Sequence, residues 1–136
     1  MKTAADTSVL VAAFASWHEH HALAFTALDR VDAVVAHCLI ETYFVLTRLP
    51  SPHRMTSEVV ASYLDQSFGG HPVFGLPAAE LRALISSCSE KGLSGGAIYD
   101  ALIAATCVHA DLALLTLDAR ARPTYAAIGV EHEFLA

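Results

Sequence analysis

Residues 93–120 read LSGGAIYDALIAATCVHADLALLTLDAR. Ser94-Gly95-Gly96 let the chain turn tightly. Residues 97–109 then form a helix that is apolar almost all round, the mark of a buried helix. After a turn at Asp111, residues 112–117 (LALLTL) form an unbroken apolar run, as expected of a strand buried on both faces. A buried helix that feeds a buried strand belongs to a parallel sheet covered on both sides. Two acids interrupt the stretch where a carboxylate is costly: Asp100 inside the helix and Asp118 at the strand's end.

The same alternation recurs outward from this stretch. Residues 2–5 are strand-like and lead through Asp6 into a helical VLVAAF. Between 20 and 31, Ala24, Ala27, Leu28 and Val31 stand at i, i+3, i+4 and i+7, a helical stripe. Residues 33–37 (AVVAH) read as a short strand, and 38–48 as a helix stopped by Pro50 and Pro52. Thr56 or Ser57 can cap a helix that carries Val59, Val60, Tyr63 and Leu64 on one face and ends at Gly69-Gly70. Residues 73–76 are a brief strand. Pro77 opens a helix whose Leu81, Leu84, Ile85 and Cys88 share a face, and Gly92 stops it. A helical turn near 121–127 reaches Gly129, before a short edge strand. No linker or fixed-period repeat divides the chain. The pattern predicts one α/β domain over residues 1–136, in three layers α/β/α around a central parallel sheet of about four to five short strands. In such sheets a ligand sits beyond the carboxyl ends of the strands, where the strand order reverses.

The chain has 136 residues, enough for one domain with its own core; 54% are hydrophobic and only 16% charged, so disorder is excluded. No apolar run reaches the roughly 18 residues of a membrane helix. Asp6 interrupts the first apolar stretch, which is not the layout of a secretory signal. Cys38, Cys88 and Cys107 form no C-x-x-C pair. Neither a disulfide framework nor a zinc knuckle is therefore expected, and a cytoplasmic location fits. Eight Lys+Arg against fourteen Asp+Glu leave a net charge of −6, with a pI near 5.7. Broad neutralisation of nucleic-acid phosphates is thereby excluded. Any such function must take its positive charge from metal ions, a few arginines or helix N-termini.

Four acids lie in apolar surroundings: Asp6, Glu41, Asp100 and Asp118. Each has an ordinary reading. Asp6 could be an N-cap, Glu41 and Asp100 could answer a helix dipole, and Asp118 could be a turn residue. What sets them apart is convergence. Asp6 and Asp118 follow strands directly, and Glu41 begins a helix just after one, so all three belong on the same sheet edge. Asp100 joins them only through tertiary packing. Two like charges about 5 Å apart repel by roughly 3 kcal/mol at an effective dielectric near 20. Lys2 and Lys91 are the only lysines, so a bound cation is the natural partner. Hard divalent ions prefer oxygen ligands and serve phosphodiester chemistry.

Four stretches in order resemble the PIN-domain ribonucleases of the VapC type, the toxin half of a bacterial toxin–antitoxin pair. They are AADTSVLVAAF at 4–14, ETYFVLTRLP at 41–50, LSGGAIYDALIAA at 93–105 and LLTLDAR at 114–120. WHEHHALA at 17–24 also fits, and the third stretch is the most specific. The resemblance implies a PIN-like α/β/α fold with Asp6, Glu41, Asp100 and Asp118 as the catalytic quartet. Asp6 and Asp100 would be the direct Mg²⁺ ligands. Glu41 would hold a second ion or position a water, and Asp118 would complete the cluster. Thr7 or Ser8, and Thr116, would be supporting hydroxyls. Many relatives carry a further acid or Asn two or three residues past the fourth Asp; Arg120 and Ala121 stand there instead, which implies one firmly bound ion.

The implied activity is Mg²⁺-dependent endonucleolytic hydrolysis of RNA, with Mn²⁺ able to substitute. The implied partners are an RNA substrate, a second copy in a homodimer and a cognate antitoxin whose tail covers the acidic groove. DNA would be met only indirectly, through the antitoxin, and a membrane not at all. Substrates in such families are often tRNA or ribosomal RNA, and nothing in this sequence chooses between them.

Other residues invite competing readings. His18 and His21 are i, i+3 neighbours that could share a metal, but no further ligand completes a tetrahedral site. Surface or helix-start histidines are the simpler reading. Arg48, Arg120 and Arg122 are candidates for RNA phosphate, set against stem packing for Arg48 and plain solvation for the other two. Trp17 and Phe14 suit core or dimer packing better than base stacking. A phospho-accepting receiver domain would need a paired acid beside Asp6 and a lysine after a late strand, and no lysine follows Lys91. A non-catalytic PIN-fold module that binds RNA or antitoxin is the remaining alternative.

Overall fold

The computed structural model describes residues 1–136. The apolar runs become five short strands: β1 (Lys2–Ala5), β2 (Val34–Val35), β3 (Val73–Phe74), β4 (Leu112–Thr116) and β5 (His132–Phe134). Between them lie α1 (Thr7–Phe14), α2 (His21–Ala27), α3 (Ala36–Arg48), α4 (Ser57–Phe68), α5 (Ala78–Glu90), α6 (Ala97–Ala110) and α7 (Arg122–Ile128), with a 3-10 turn at Leu28–Arg30.

β4 is apolar along its length because it pairs on both edges. It runs parallel to β1, from Lys2↔Leu112 to Ala5↔Leu115, and parallel to β5, from Leu114↔His132 to Thr116↔Phe134. β2 and β3 form a second parallel pair, Val34↔Val73 and Val35↔Phe74. β2 lies alongside β1. Their link is not a ladder: Asp32 N–H donates to Thr3 O at 2.8 Å, and Thr3 N–H donates to Asp32 Oδ2 at 3.0 Å. Across the molecule the strands thus follow the order β3-β2-β1-β4-β5, with the ladder interrupted beside β1. The expected count of short parallel strands is met, in two hydrogen-bonded groups.

Right-handed crossovers put α1–α4, on the connections running leftward, over one face, and α5–α7, on those running back, over the other. The helices pack accordingly: α1 against α2 and α3, α3 against α4, and α6 against α5 and α7. The core between the layers is built from Ala4, Ala5, Val34, Val35, Leu114 and Leu115 of the strands, Val9 and Leu10 of α1, and Ile103 and Cys107 of α6, all buried. Each such Val, Leu or Ile contributes about 1.5–3 kcal/mol by leaving water.

Three local expectations shift. The strand expected over 33–37 stops at Val35 because Ala36 and His37 already belong to α3, so Glu41 lies a turn into that helix and not at its start. α6 is not apolar-buried all round: Ala101, Ile103, Ala104 and Cys107 are buried, while Tyr99 and Val108 face solvent. On α5 only Leu84 and Cys88 of the expected face are buried, because α6 covers a narrow strip; Leu81 and Ile85 are exposed. The remaining punctuation matches. Thr56 caps α4 by accepting from Val59 N–H, Pro77 precedes α5, and Asp111 takes the left-handed conformation (φ 58°) that turns α6 into β4.

Candidate active site

The strand order reverses between β1 and β4, and a cavity of about 360 Å³ opens beyond their carboxyl ends. Asp6, Glu41, Asp100 and Asp118 all line it. Their arrival follows from the topology. Asp6 follows β1 directly, Asp118 follows β4, Glu41 projects from α3 after β2, and the first turn of α6 brings Asp100.

Asp6 is 2% exposed and fully engaged. Its N–H extends the ladder to Leu115 O at 3.0 Å. Its Oδ1 accepts from Ser8 Oγ–H and from Val9 N–H, which makes it the N-cap of α1, and its Oδ2 accepts from Tyr125 Oη–H at 2.7 Å. The cap reading and the site reading are therefore both true of one side chain. Burial pushes the Asp6 carboxyl above its ordinary range, against the pull of its hydroxyl and amide donors, Thr116 among them.

Glu41 Oε1 accepts from Thr7 Oγ1–H, and Oε2 lies 3.7 Å from His37 Nε2. Asp118 Oδ1 accepts from Arg120 N–H at 3.0 Å and stands 3.6 Å from Arg120 Nε, while Asp118 N–H donates to Thr116 Oγ1 at 3.0 Å. Ser8 Oγ also accepts from Leu117 N–H at 2.9 Å, tying the β1–α1 turn to the loop after β4. Asp100 alone receives no hydrogen bond. Partial burial, and then the charges of Asp118, Asp6 and Glu41, push its carboxyl up to about 6, with Arg120 opposing.

The three candidate arginines separate. Arg120 lines the cavity, whereas Arg48 and Arg122 lie outside its wall, their guanidinium groups over the rings of Phe44 and Phe134 at 4.8 and 5.2 Å. Phe14 stacks on Tyr63 at 4.2 Å, a packing role, and the half-exposed Trp17 lies against His53 at 4.1 Å.

Two wall residues escaped the sequence pattern. Tyr125 sits on α7, far along the chain from its partner Asp6, and nothing local marks it. His18 lines the cavity, although its cluster reads as surface. The histidine run did hint at something, and the histidines brace the α1–α2 connection: His20 N–H donates to His18 Nδ1 at 3.0 Å, and His21 Nδ1 lies 2.8 Å from Ala12 O.

The donor set suits a hard divalent cation. The wall's acidic groups are carboxylates from four separate elements, and none of the buried cysteines reaches it. Burial raises Asp100 most, and the repulsion from the other acids that adds to it is what a cation relieves. No three His, Cys, Asp or Glu side chains are close enough to form a ready-made ligand shell.

Known proteins sharpen this picture. The family model described as PIN domain matches residues 4–126. Ribonuclease VapC40 of Mycobacterium tuberculosis (strain ATCC 25618 / H37Rv) is 46% identical over 132 residues, which is 97% of this chain and 98% of that protein. Ribonuclease VapC27 of the same strain is 38% identical over 129 residues, covering 93% and 92% of the two chains. Among solved structures, VapBC2 from Rickettsia felis bound to a DNA fragment from their promoter superposes with a TM-score of 0.70 at 17% identity, covering 100% of both chains. FitAcB from Neisseria gonorrhoeae gives 0.67 at 22% identity, covering 96% and 95%. At such identities the solved structures speak for the fold alone.

Proposed function

Since the chain belongs to the PIN-domain family, in its VapC-type branch, we propose that it is a Mg²⁺-dependent endoribonuclease acting as the toxin of a toxin–antitoxin pair. The observation that carries this reading is the meeting of Asp6, Glu41, Asp100 and Asp118 on one cavity wall at the switch point of the sheet.

Asp6 and Asp100 hold the ion. Asp6 is fixed by three donors and leaves its oxygens little freedom, while Asp100 is the carboxylate with no competing partner. When bound, Mg²⁺ or Mn²⁺ would supply Lewis acidity toward a phosphoryl oxygen and would make a neighbouring water more acidic than bulk water. Glu41, oriented by Thr7, directs the attacking water. Asp118, held in its turn by Thr116 and Arg120, completes the negative wall, and Arg120 meets an incoming phosphate at the rim.

The partners belong to the same proposal: RNA as substrate, a cognate antitoxin covering the acidic groove, DNA reached only through that antitoxin, and a homodimer in the cytoplasm. Exposed Ile40, Tyr43 and Phe44 on α3 supply apolar surface for such assembly. One observation favours the alternative of a non-catalytic binding module: the acids form no ready-made ligand shell. Incubation of the purified chain with RNA decides between them. The nuclease cleaves with Mg²⁺ or Mn²⁺, stops with EDTA and loses cleavage in Asp100→Asn; wild-type rates from Asp100→Asn contradict it.

A further inference from the structure

His18 is a cavity-wall residue that neither the carboxylates nor their supporting hydroxyls employ. Its connection between α1 and α2 is firmly set: His18 N–H donates to Ala15 O at 2.9 Å and His21 N–H to His18 O at 3.0 Å. The ring is set as well, because His20 N–H donates to His18 Nδ1 at 3.0 Å. A donor aimed at Nδ1 makes that nitrogen an acceptor and leaves the ring proton on Nε2. Nε2 enters no ion pair in the chain. His18 thus brings to the cavity wall a ring whose remaining N–H has no ion-pair partner in the chain. A phosphodiester entering a wall of carboxylates needs donors for its non-bridging oxygens. The wall's only other nitrogen-bearing side chain is Arg120, which is 94% exposed and lies 3.6 Å from Asp118.

We propose that His18 is a substrate-contacting residue whose Nε2–H donates a hydrogen bond to a phosphate oxygen of RNA held in the cavity. The assignment rests on the nuclease reading above. Two variants separate it from a purely structural role. In His18→Asn, the short amide's oxygen still accepts from His20 N–H, but nothing reaches the Nε2 position. In His18→Gln, the longer amide places an N–H near that position and gives up the local bond.

The test measures binding of a short fluorescent RNA in an Asp100→Asn background, which does not cleave and is read without added metal, alongside thermal unfolding. His18→Asn weakens binding roughly 10- to 100-fold, the range for a hydrogen bond to a charged group, and His18→Gln recovers most of that loss. The thermal midpoints rank the opposite way, with Asn nearer the parent. Unweakened binding by His18→Asn, no RNA binding by the parent, or affinity falling in step with midpoint across the two variants overturns the contact. The chain with Asp100 intact, assayed in parallel for cleavage, reports on the nuclease reading separately: RNA bound through His18 but never cut contradicts that reading and leaves the contact standing.

Discussion

Tyr125 Oη donates a 2.7 Å hydrogen bond to Asp6 Oδ2, joining residues 119 positions apart and closing α7 onto the end of β1. Both side chains are buried. Tyr125→Phe removes the donor and leaves a buried carboxylate oxygen unsatisfied, at a cost of about 1–3 kcal/mol. Thermal or urea unfolding reads that loss. Because Tyr125 acts through Asp6, kcat should fall more than KM rises; unchanged stability would mean that water replaces the hydroxyl at no cost.

The raised carboxyls make the metal-free protein pH-dependent. Asp6 is pushed up by burial, and Asp100 moves from 3.8 to about 6 by burial and then by the other three acids. The native chain therefore holds these protons more tightly than the unfolded chain does. The contribution of Asp100 is fully present below about pH 4 and is lost as pH rises to about 6, and Asp6 acts in the same direction. Urea unfolding in EDTA across that interval should show stability declining from these groups, and Asp100→Asn should flatten the decline. An equally steep decline in that variant would place its origin elsewhere.

Relief of the same repulsion predicts the response to metal. Without an ion, Asp100→Asn should be as stable as the unaltered chain or more so. Mg²⁺ at about 100 times its Kd should stabilise the unaltered chain by roughly 2.7 kcal/mol and the variant by much less. Differential scanning fluorimetry with and without Mg²⁺ checks both halves. A midpoint indifferent to Mg²⁺ and Mn²⁺ counts against the site.

With eight Lys+Arg in all, log affinity for RNA should fall only gently with log salt, with a slope of a few units at most. Arg120→Ala should weaken binding and lower the slope by about one unit, because Arg120 is the arginine on the cavity wall. Arg48→Ala and Arg122→Ala should do less, since each lies over its own aromatic ring. Salt titrations of the three variants separate them.

Asp6 and Asp118 were legible because a carboxylate that ends an apolar strand announces the sheet edge where parallel folds place their ligands. Asp100 was legible because a carboxylate inside an apolar helix demands a reason. Glu41 was legible as a site residue but misplaced by a turn, since β2 hands over to α3 at Ala36 with no capping side chain to mark the start. The exposed face of α6 was not legible either: Tyr99 and Val108 look like core residues until the packing of α5, α7 and the sheet leaves their side open. Tyr125, and the place of His18 on the cavity wall, were not legible for a stronger reason. Their roles come from contacts across the fold, and no local period or spacing encodes which distant residue a buried hydroxyl or an imidazole will meet.

A crystal soaked in Mn²⁺ tests the central claim most directly. Anomalous scattering should place an ion within coordinating reach of the carboxylates of Asp6 and Asp100, inside the cavity that Glu41 and Asp118 complete. A cavity without an anomalous peak at saturating Mn²⁺, or a peak that persists unchanged in Asp100→Asn, would contradict it.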